Sequence, residues 1–284
     1  MAGLQDKDNI EEIKEDIVGL VTEGVLPVPA CARTINFLDS DGLYPLRSRV
    51  FYKKQIEVLL EKKYYHWRTH KAIGELINEK KLRATPYEID NIIPIFVSDP
   101  SHRYIQREIT EKASTIAKYS NYKVTNDIGR HAEATVLQIL ETDEFRLYNK
   151  KGINEYKGRK WKTDDNLDFI VEKNGIGIGI EIKNTLDYIP QSEFRLKMDM
   201  CDFLKIKPLF VARYAPSSYI HEIYERGGRY LLTKTQIYHN TSDYKLLVSQ
   251  IWEELALPVA CHDYISLRNT KIHNLLLSMA NKLI

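Results

Sequence analysis

The sequence has no apolar run approaching the roughly 20 residues that a membrane-spanning helix needs, so no transmembrane segment and no membrane partner are expected. Its start, MAGLQDKDNIEEIKEDI, is acidic and polar and lacks the apolar core of a signal peptide. Cysteine is scarce. Cys31, Cys201 and Cys261 lie far apart without a CxxC pair, which argues against a disulfide framework or a zinc site. A reducing cytoplasm is the expected location. An excess of one charge is also missing: 41 Lys and Arg stand against 39 Asp and Glu, a net charge of +2 that says little about nucleic acid. What the chain does have is 43% hydrophobic residues over 284 positions, enough for real cores and a length that suits two domains of ordinary size.

Charge is informative locally. Arg146 to Lys162 reads RLYNKKGINEYKGRKWK, with seven basic residues, one acid and the aromatics Tyr148, Tyr156 and Trp161. Basic residues interleaved with aromatics suit a surface that meets phosphates and bases, and Lys157, Arg159 and Lys160 are candidate DNA contacts. A solvated, lysine-rich hairpin fits the same stretch.

In the first hundred residues, Ile10, Ile13, Ile17 and Leu20 recur at helical spacing, with Gly24 as the stop. A loop with proline and SDG turn signals runs to about Arg49. A second helix is expected over Phe51–Tyr65 and a third capped by Thr69, with Ala72, Ile73, Leu76 and Ile77 on its apolar face. Two short strands around a turn follow in LRATPYEIDNIIPIFVS. Helix, connection, helix and hairpin resemble a winged helix-turn-helix, in which the second helix enters the DNA major groove. Arg68, His70 and Lys71 would lie near the start of that helix. The domain boundary is expected near Pro100, giving an N-terminal helical domain over 1–100 and a second domain over 101–284.

The second half reads as a helix capped by Asn126 or Asp127, a strand near Phe145–Tyr148, strands over Asn166–Glu172 and Ile176–Lys183, a helix, and the apolar strand PLFVAR. Lys173-Asn174-Gly175 is a tight turn between the two middle strands. The order is helix, three strands, helix, strand, an α/β fold with a mixed central sheet. Helices near Tyr244–Ala256 and Asp263–Leu283 finish the chain; Ile272, Leu275, Leu276, Met279 and Leu283 form an apolar stripe that suits a dimer seam or the core.

Within this half, GIGIGIEIKN places Glu181 and Lys183 on one side of a strand, since residues two apart share a face. Asp168 lies in the apolar strand LDFIV, where an unpaired carboxylate is costly. Pairing across the tight turn can bring Asp168 close to Glu181 and Lys183. Two neighbouring carboxylates repel unless a cation lies between them. Oxygen ligands point to Mg²⁺, with Mn²⁺ as a substitute. The lysine could then orient or deprotonate a water for attack on phosphorus. A plain salt bridge at the sheet rim is the other reading.

Asp168 followed by Glu181-Ile182-Lys183 resembles the PD-(D/E)xK nuclease superfamily, the restriction-endonuclease-like fold with an αβββαβ core. The proline of that motif is absent; Leu167 precedes Asp168. The resemblance spans roughly residues 125–235. It implies that Asp168, Glu181 and the Ile182 carbonyl bind metal and that Lys183 positions the nucleophile. Glu133, on a helix face with Val136, Leu137 and Leu140, would assist a metal or a water. It further implies a Mg²⁺-dependent endodeoxyribonuclease. With the N-terminal domain, the expected function is type II restriction cleavage of double-stranded DNA by a homodimer. The alternatives are a structure-specific repair or junction nuclease, and a DNA-binding protein on a nuclease-like scaffold.

Overall fold

A computed structural model of the chain describes residues 9–26 and 46–284, with the backbone but not the side chains of 25–26, 46–47 and 149–153. Cys31 and most of the loop expected before Arg49 lie outside the described residues. The chain forms two compact units. The first runs to Thr125 and takes in Ser242–Val259; the second comprises Asn126–Thr241 and Ala260–Ile284. The division thus falls after Thr125 rather than near Pro100. The helix after Thr241 belongs with the first unit because it packs against Gln106–Ser120, where Lys118 Nζ donates to Gln250 Oε1 at 3.2 Å.

In chain order the first unit contains α1 (Ile10–Glu23), β1 (Val25–Leu26), β2 (Leu46–Arg47), β3 (Phe51–Tyr52), α2 (Lys53–Leu59), α3 (His66–Asn78), β4 (Arg83–Pro86), β5 (Ile95–Ser98) and α4 (Gln106–Ser120). Asn9 caps α1 by accepting the Glu11 N–H, and Gly24 ends it at φ 65°. Ile13, Ile17 and Val21 of α1 meet Ile56 of α2 and Ala72, Ile73 and Leu76 of α3 in a closed core. The expected helix over Phe51–Tyr65 is shorter at both ends. Phe51 and Tyr52 pair instead with Val97 and Phe96, so β3 joins the β4–β5 hairpin in a three-stranded sheet ordered β3-β5-β4. Burial of Phe51 in this sheet overrides its place in a helical pattern. Thr69 does not cap α3; the helix starts at His66, and Thr69 is fully buried within it.

The second unit contains α5 (Tyr122–Glu141), β6 (Arg146–Ile153), β7 (Glu155–Tyr156), β8 (Arg159–Lys160), β9 (Leu167–Lys173), β10 (Ile176–Lys183), α6 (Gln191–Leu204), β11 (Lys207–Ala212), α7 (Ser217–Glu225), β12 (Arg229–Leu232) and β13 (Gln236–Tyr238). After α8 (Ser242–Leu255) come β14 (Val259–Cys261), α9 (Tyr264–Leu267) and α10 (Lys271–Asn281). The α5 helix begins a turn before the expected Asn126 or Asp127 cap, with Asn121 Oδ1 accepting the Lys123 N–H at 2.9 Å. The expected C-terminal helix is two helices, broken at Asn269 (φ 63°) and recapped by Thr270.

The core sheet has five strands ordered β12-β11-β10-β9-β6. The strands β10, β11 and β12 run parallel, whereas β9 is antiparallel to both β10 and β6. The fold is therefore mixed α/β with a sheet of mixed orientation. Ile178, Ile180, Leu209, Val211 and Leu231 pack with Val136, Leu137 and Leu140 of α5 and Leu276 and Ala280 of α10. Phe210, Ala212 and Tyr230 pack with Phe194 and Met198 of α6 and Tyr219 of α7 in a second cluster.

The glycines of GIGIG control one of these contacts. A Cβ at Gly177 would lie 2.6 Å from the Tyr156 ring, and one at Gly179 would lie 2.7 Å from Leu167 and 3.0 Å from Cys201 Sγ of α6. Bare backbone at Gly179 leaves room for Cys201 of α6 against β10, and at Gly177 for the Tyr156 ring and Ile206. Gly179→Val should therefore destabilise the protein by about 1–3 kcal/mol through overpacking, measured by urea unfolding. An unchanged midpoint would mean that α6 is not held tightly against that strand.

Candidate active site

Asp168 and Glu181 meet because of a two-residue turn. Asn174 (φ 52°) and Gly175 (φ 76°) form it, the pattern that Asn-Gly favours in tight hairpins. From Lys173↔Ile176 the register runs to Phe169↔Ile180. At the next step the Asp168 side chain reaches across, and its Oδ2 accepts the Ile182 N–H at 2.6 Å. The acid in the apolar strand is thereby tied to the motif it was expected to join.

The same face of β10 that carries Gly177 and Gly179 carries Glu181 and Lys183. With α6 drawn in over the glycines, its first turns cover both charges. Lys183 Nζ donates to Glu193 Oε1 at 2.9 Å. Lys197 Nζ lies 3.1 Å from Glu181 Oε2 and also donates to the Asn166 carbonyl. The spacings match: residues four apart on a helix rise about 6 Å, and residues two apart on a strand rise about 6.6 Å. A Glu/Lys pair on the helix thus faces a Lys/Glu pair on the strand.

Burial sets the electrostatics. Glu181 is 5% exposed. Loss of water, then the charge of Asp168, pushes its carboxyl pKa up to about 8 against the opposing pull of Lys197. The Asp168 carboxyl is also raised, chiefly by burial, while the Ile182 N–H, Lys197 and Lys183 act to lower it. Although Lys197 is close enough to pair with Glu181, Oε2 has no donor aimed along a hydrogen-bond line. A buried oxygen with charge nearby but no hydrogen bond, beside a second raised carboxyl, fits a hard cation with oxygen ligands. Asp168, Glu181 and the Ile182 carbonyl are the residues present for it. Among the described residues no three His, Cys, Asp or Glu side chains converge as a metal cluster.

The other expected residues fall in different places. Glu133 is half-buried on the α5 face that carries Val136, Leu137 and Leu140. The N-terminal part of α5 reaches the end of β10, where Asn184 Nδ2 donates to the Ile128 carbonyl at 3.0 Å. The acid seen paired with Lys183 is Glu193. Lys157 lies at the opposite end of the sheet: its Nζ donates to the Gly175 carbonyl at 2.9 Å and pairs with Glu172 at 3.0 Å. Gly175 and Lys183 are separated by about 26 Å of strand. Arg159 and Lys160 form the exposed β8 beside it. Two of the aromatics expected to meet bases, Tyr156 and Trp161, are core residues instead. Apolar burial claimed them because the hairpin folds back over the sheet.

In the first unit, Arg68, His70 and Lys71 all lie on α3. His70 Nδ1 is 2.8 Å from Glu57 Oε1, and Lys71 Nζ is 3.8 Å from Glu75 Oε1. Trp67, which sequence reasoning missed, is half-exposed on the same helix and stacks on Tyr65 at 4.4 Å. Lys197 was missed as well. The available signal was its spacing of four from Glu193, matched in reverse to Glu181 and Lys183.

The raised carboxyl of Glu181 gives a pH test in EDTA. The unfolded chain ionises this group near its ordinary value, and the folded chain only near 8. Between those limits the folded state binds the extra proton, so stability falls as pH rises. Glu181→Gln should remove that share of the slope between pH 5 and 8 in denaturant unfolding; parallel stability curves for the two proteins would show that Glu181 is not held protonated. No protein-family model, curated protein or solved structure matches this chain, so its chemistry rests on the geometry of these residues.

Proposed function

We propose that the chain is a metal-dependent endonuclease that hydrolyses phosphodiester bonds in double-stranded DNA, on a core of the PD-(D/E)xK type. The observation that carries this reading is the convergence of Asp168, Glu181 and Lys183 at one sheet end, with both acids raised by burial. A salt bridge at a sheet rim calls for one acid beside one lysine. It gives no reason to bury a second carboxylate beside the first, which costs several kcal/mol unless compensated. The order α5, β6, β9, β10, α6, β11 adds support, being the αβββαβ order of such cores.

Asp168, Glu181 and the Ile182 carbonyl would hold Mg²⁺, or Mn²⁺ in its place, and the bound ion would polarise the phosphate and acidify a water. The Ile182 N–H fixes the Asp168 carboxylate, so the pair is positioned before substrate arrives. Lys183 is partly exposed at the rim, where its ammonium can orient the attacking water and offset charge on a phosphate oxygen. Hydrolysis moves a proton from that water to the leaving oxygen. Glu193 holds Lys183 until a phosphate competes for it.

The first unit supports double-stranded DNA as the substrate. Its α2, α3 and β4–β5 hairpin follow the winged-helix order, and α3 presents Trp67, His70 and Lys71 outward. A helix so placed can read the major groove. Cutting both strands of a site would call for two copies of the chain.

The test uses unmethylated and methylated phage DNA, with Mg²⁺ or with EDTA, for wild type and Lys183→Ala. The expected result is discrete fragments with Mg²⁺, none with EDTA, and a rate in the variant lower by at least about 100-fold, with DNA binding retained. Cleavage by Lys183→Ala at the wild-type rate would overturn the assignment. Cutting confined to branched DNA would move the substrate to the repair and junction class.

A further inference from the structure

A cation already stands beside the carboxylate pair, and it belongs to the chain itself. Lys197 projects from α6 with its side chain 12% exposed, and its Nζ lies 3.1 Å from Glu181 Oε2. The same ammonium donates to the Asn166 carbonyl at the entry to β9. It is also the foremost positive charge acting on Asp168. One ammonium therefore acts on both carboxylates from within the site. A lysine this buried is costly unless paired, and here its ion-pair partner is Glu181, one of the two acids assigned to the metal, with its charge also acting on Asp168.

We propose that Lys197 is the resident counter-ion of the Asp168–Glu181 pair, holding the metal's place in the metal-free protein and withdrawing when a divalent cation enters. The proposal rests on the reading of Asp168 and Glu181 as metal ligands. A divalent ion on Glu181 and an ammonium 3.1 Å from the same carboxylate repel strongly in a site shielded from water. The two cations therefore compete for it. The four-carbon stem of Lys197 gives it a way out, toward the exposed Asn166, whose carbonyl it already contacts. Glu193, one turn earlier on α6, does the reciprocal task for Lys183. The helix therefore gives each of the two strand residues a partner in the resting protein. Metal and phosphate would release them.

This differs from a permanent structural tie in what metal does to Lys197. The test is acetylation of lysine amines, read residue by residue by mass spectrometry, with Mn²⁺ binding followed by electron paramagnetic resonance in the same samples. Without metal, Lys197 should be acetylated slowly in wild type and several-fold faster in Glu181→Gln. Asp168→Asn provides the second variant if the first is unfolded by circular dichroism. In wild type, Mn²⁺ should raise Lys197 acetylation in step with its binding. Equal labelling of wild type and both folded variants without metal would overturn the proposal, whatever the metal does. Bound Mn²⁺ with Lys197 still protected would overturn the exchange while leaving the metal site intact. No Mn²⁺ bound at all would overturn the metal reading and the exchange with it.

Discussion

The close approach of α6 to the glycine face of β10 is the contact on which the candidate site depends. Gly177 and Gly179 leave space that Tyr156, Leu167, Ile206 and, from α6, Cys201 fill. The distance this allows lets Glu193 and Lys197 reach Lys183 and Glu181. It also keeps water from Glu181, and so produces the raised carboxyl. Packing between two apolar elements thus sets the charge state of a polar site a few residues further along the same strand.

That site combines five ionisable side chains with one backbone donor. Two acids stand side by side at the end of the β9–β10 hairpin, tied by the Ile182 N–H. Two ammonium groups answer them, one near the rim and one deep. The deep one, Lys197, meets the shared charge of the acids; the rim one, Lys183, is held by a third acid. A purely structural cluster could be replaced by apolar residues with little loss of stability. This one keeps two acids raised by burial beside two paired lysines.

Much of this was legible in the sequence. The Asn-Gly turn set the register that brings Asp168 to Glu181, and alternation along β10 put Glu181 and Lys183 on one face. Apolar runs gave the order of the second unit. What was hidden came from contacts between distant segments. Phe51 and Tyr52 left a helical pattern because β5 supplied partners in Val97 and Phe96, far along the chain. Tyr156 and Trp161 left the surface because the β7–β8 hairpin turns back onto the core. Lys197 was hidden for the same reason: on a helical wheel it is one more partly exposed charge, and it becomes a site residue only when α6 is laid over two glycines. The domain division was misjudged because α8 returns to α4 after the second unit's sheet is complete.

The central claim is that Asp168 and Glu181 hold a divalent cation. Its most direct test replaces the ion with Fe²⁺ and uses ascorbate and peroxide to cut the polypeptide wherever iron is bound. Cuts in the backbone beside Asp168 and Glu181–Lys183, suppressed by Mg²⁺ and lost in Glu181→Gln, are the predicted result. Cuts elsewhere, or cuts at these positions that Mg²⁺ does not suppress, would contradict it.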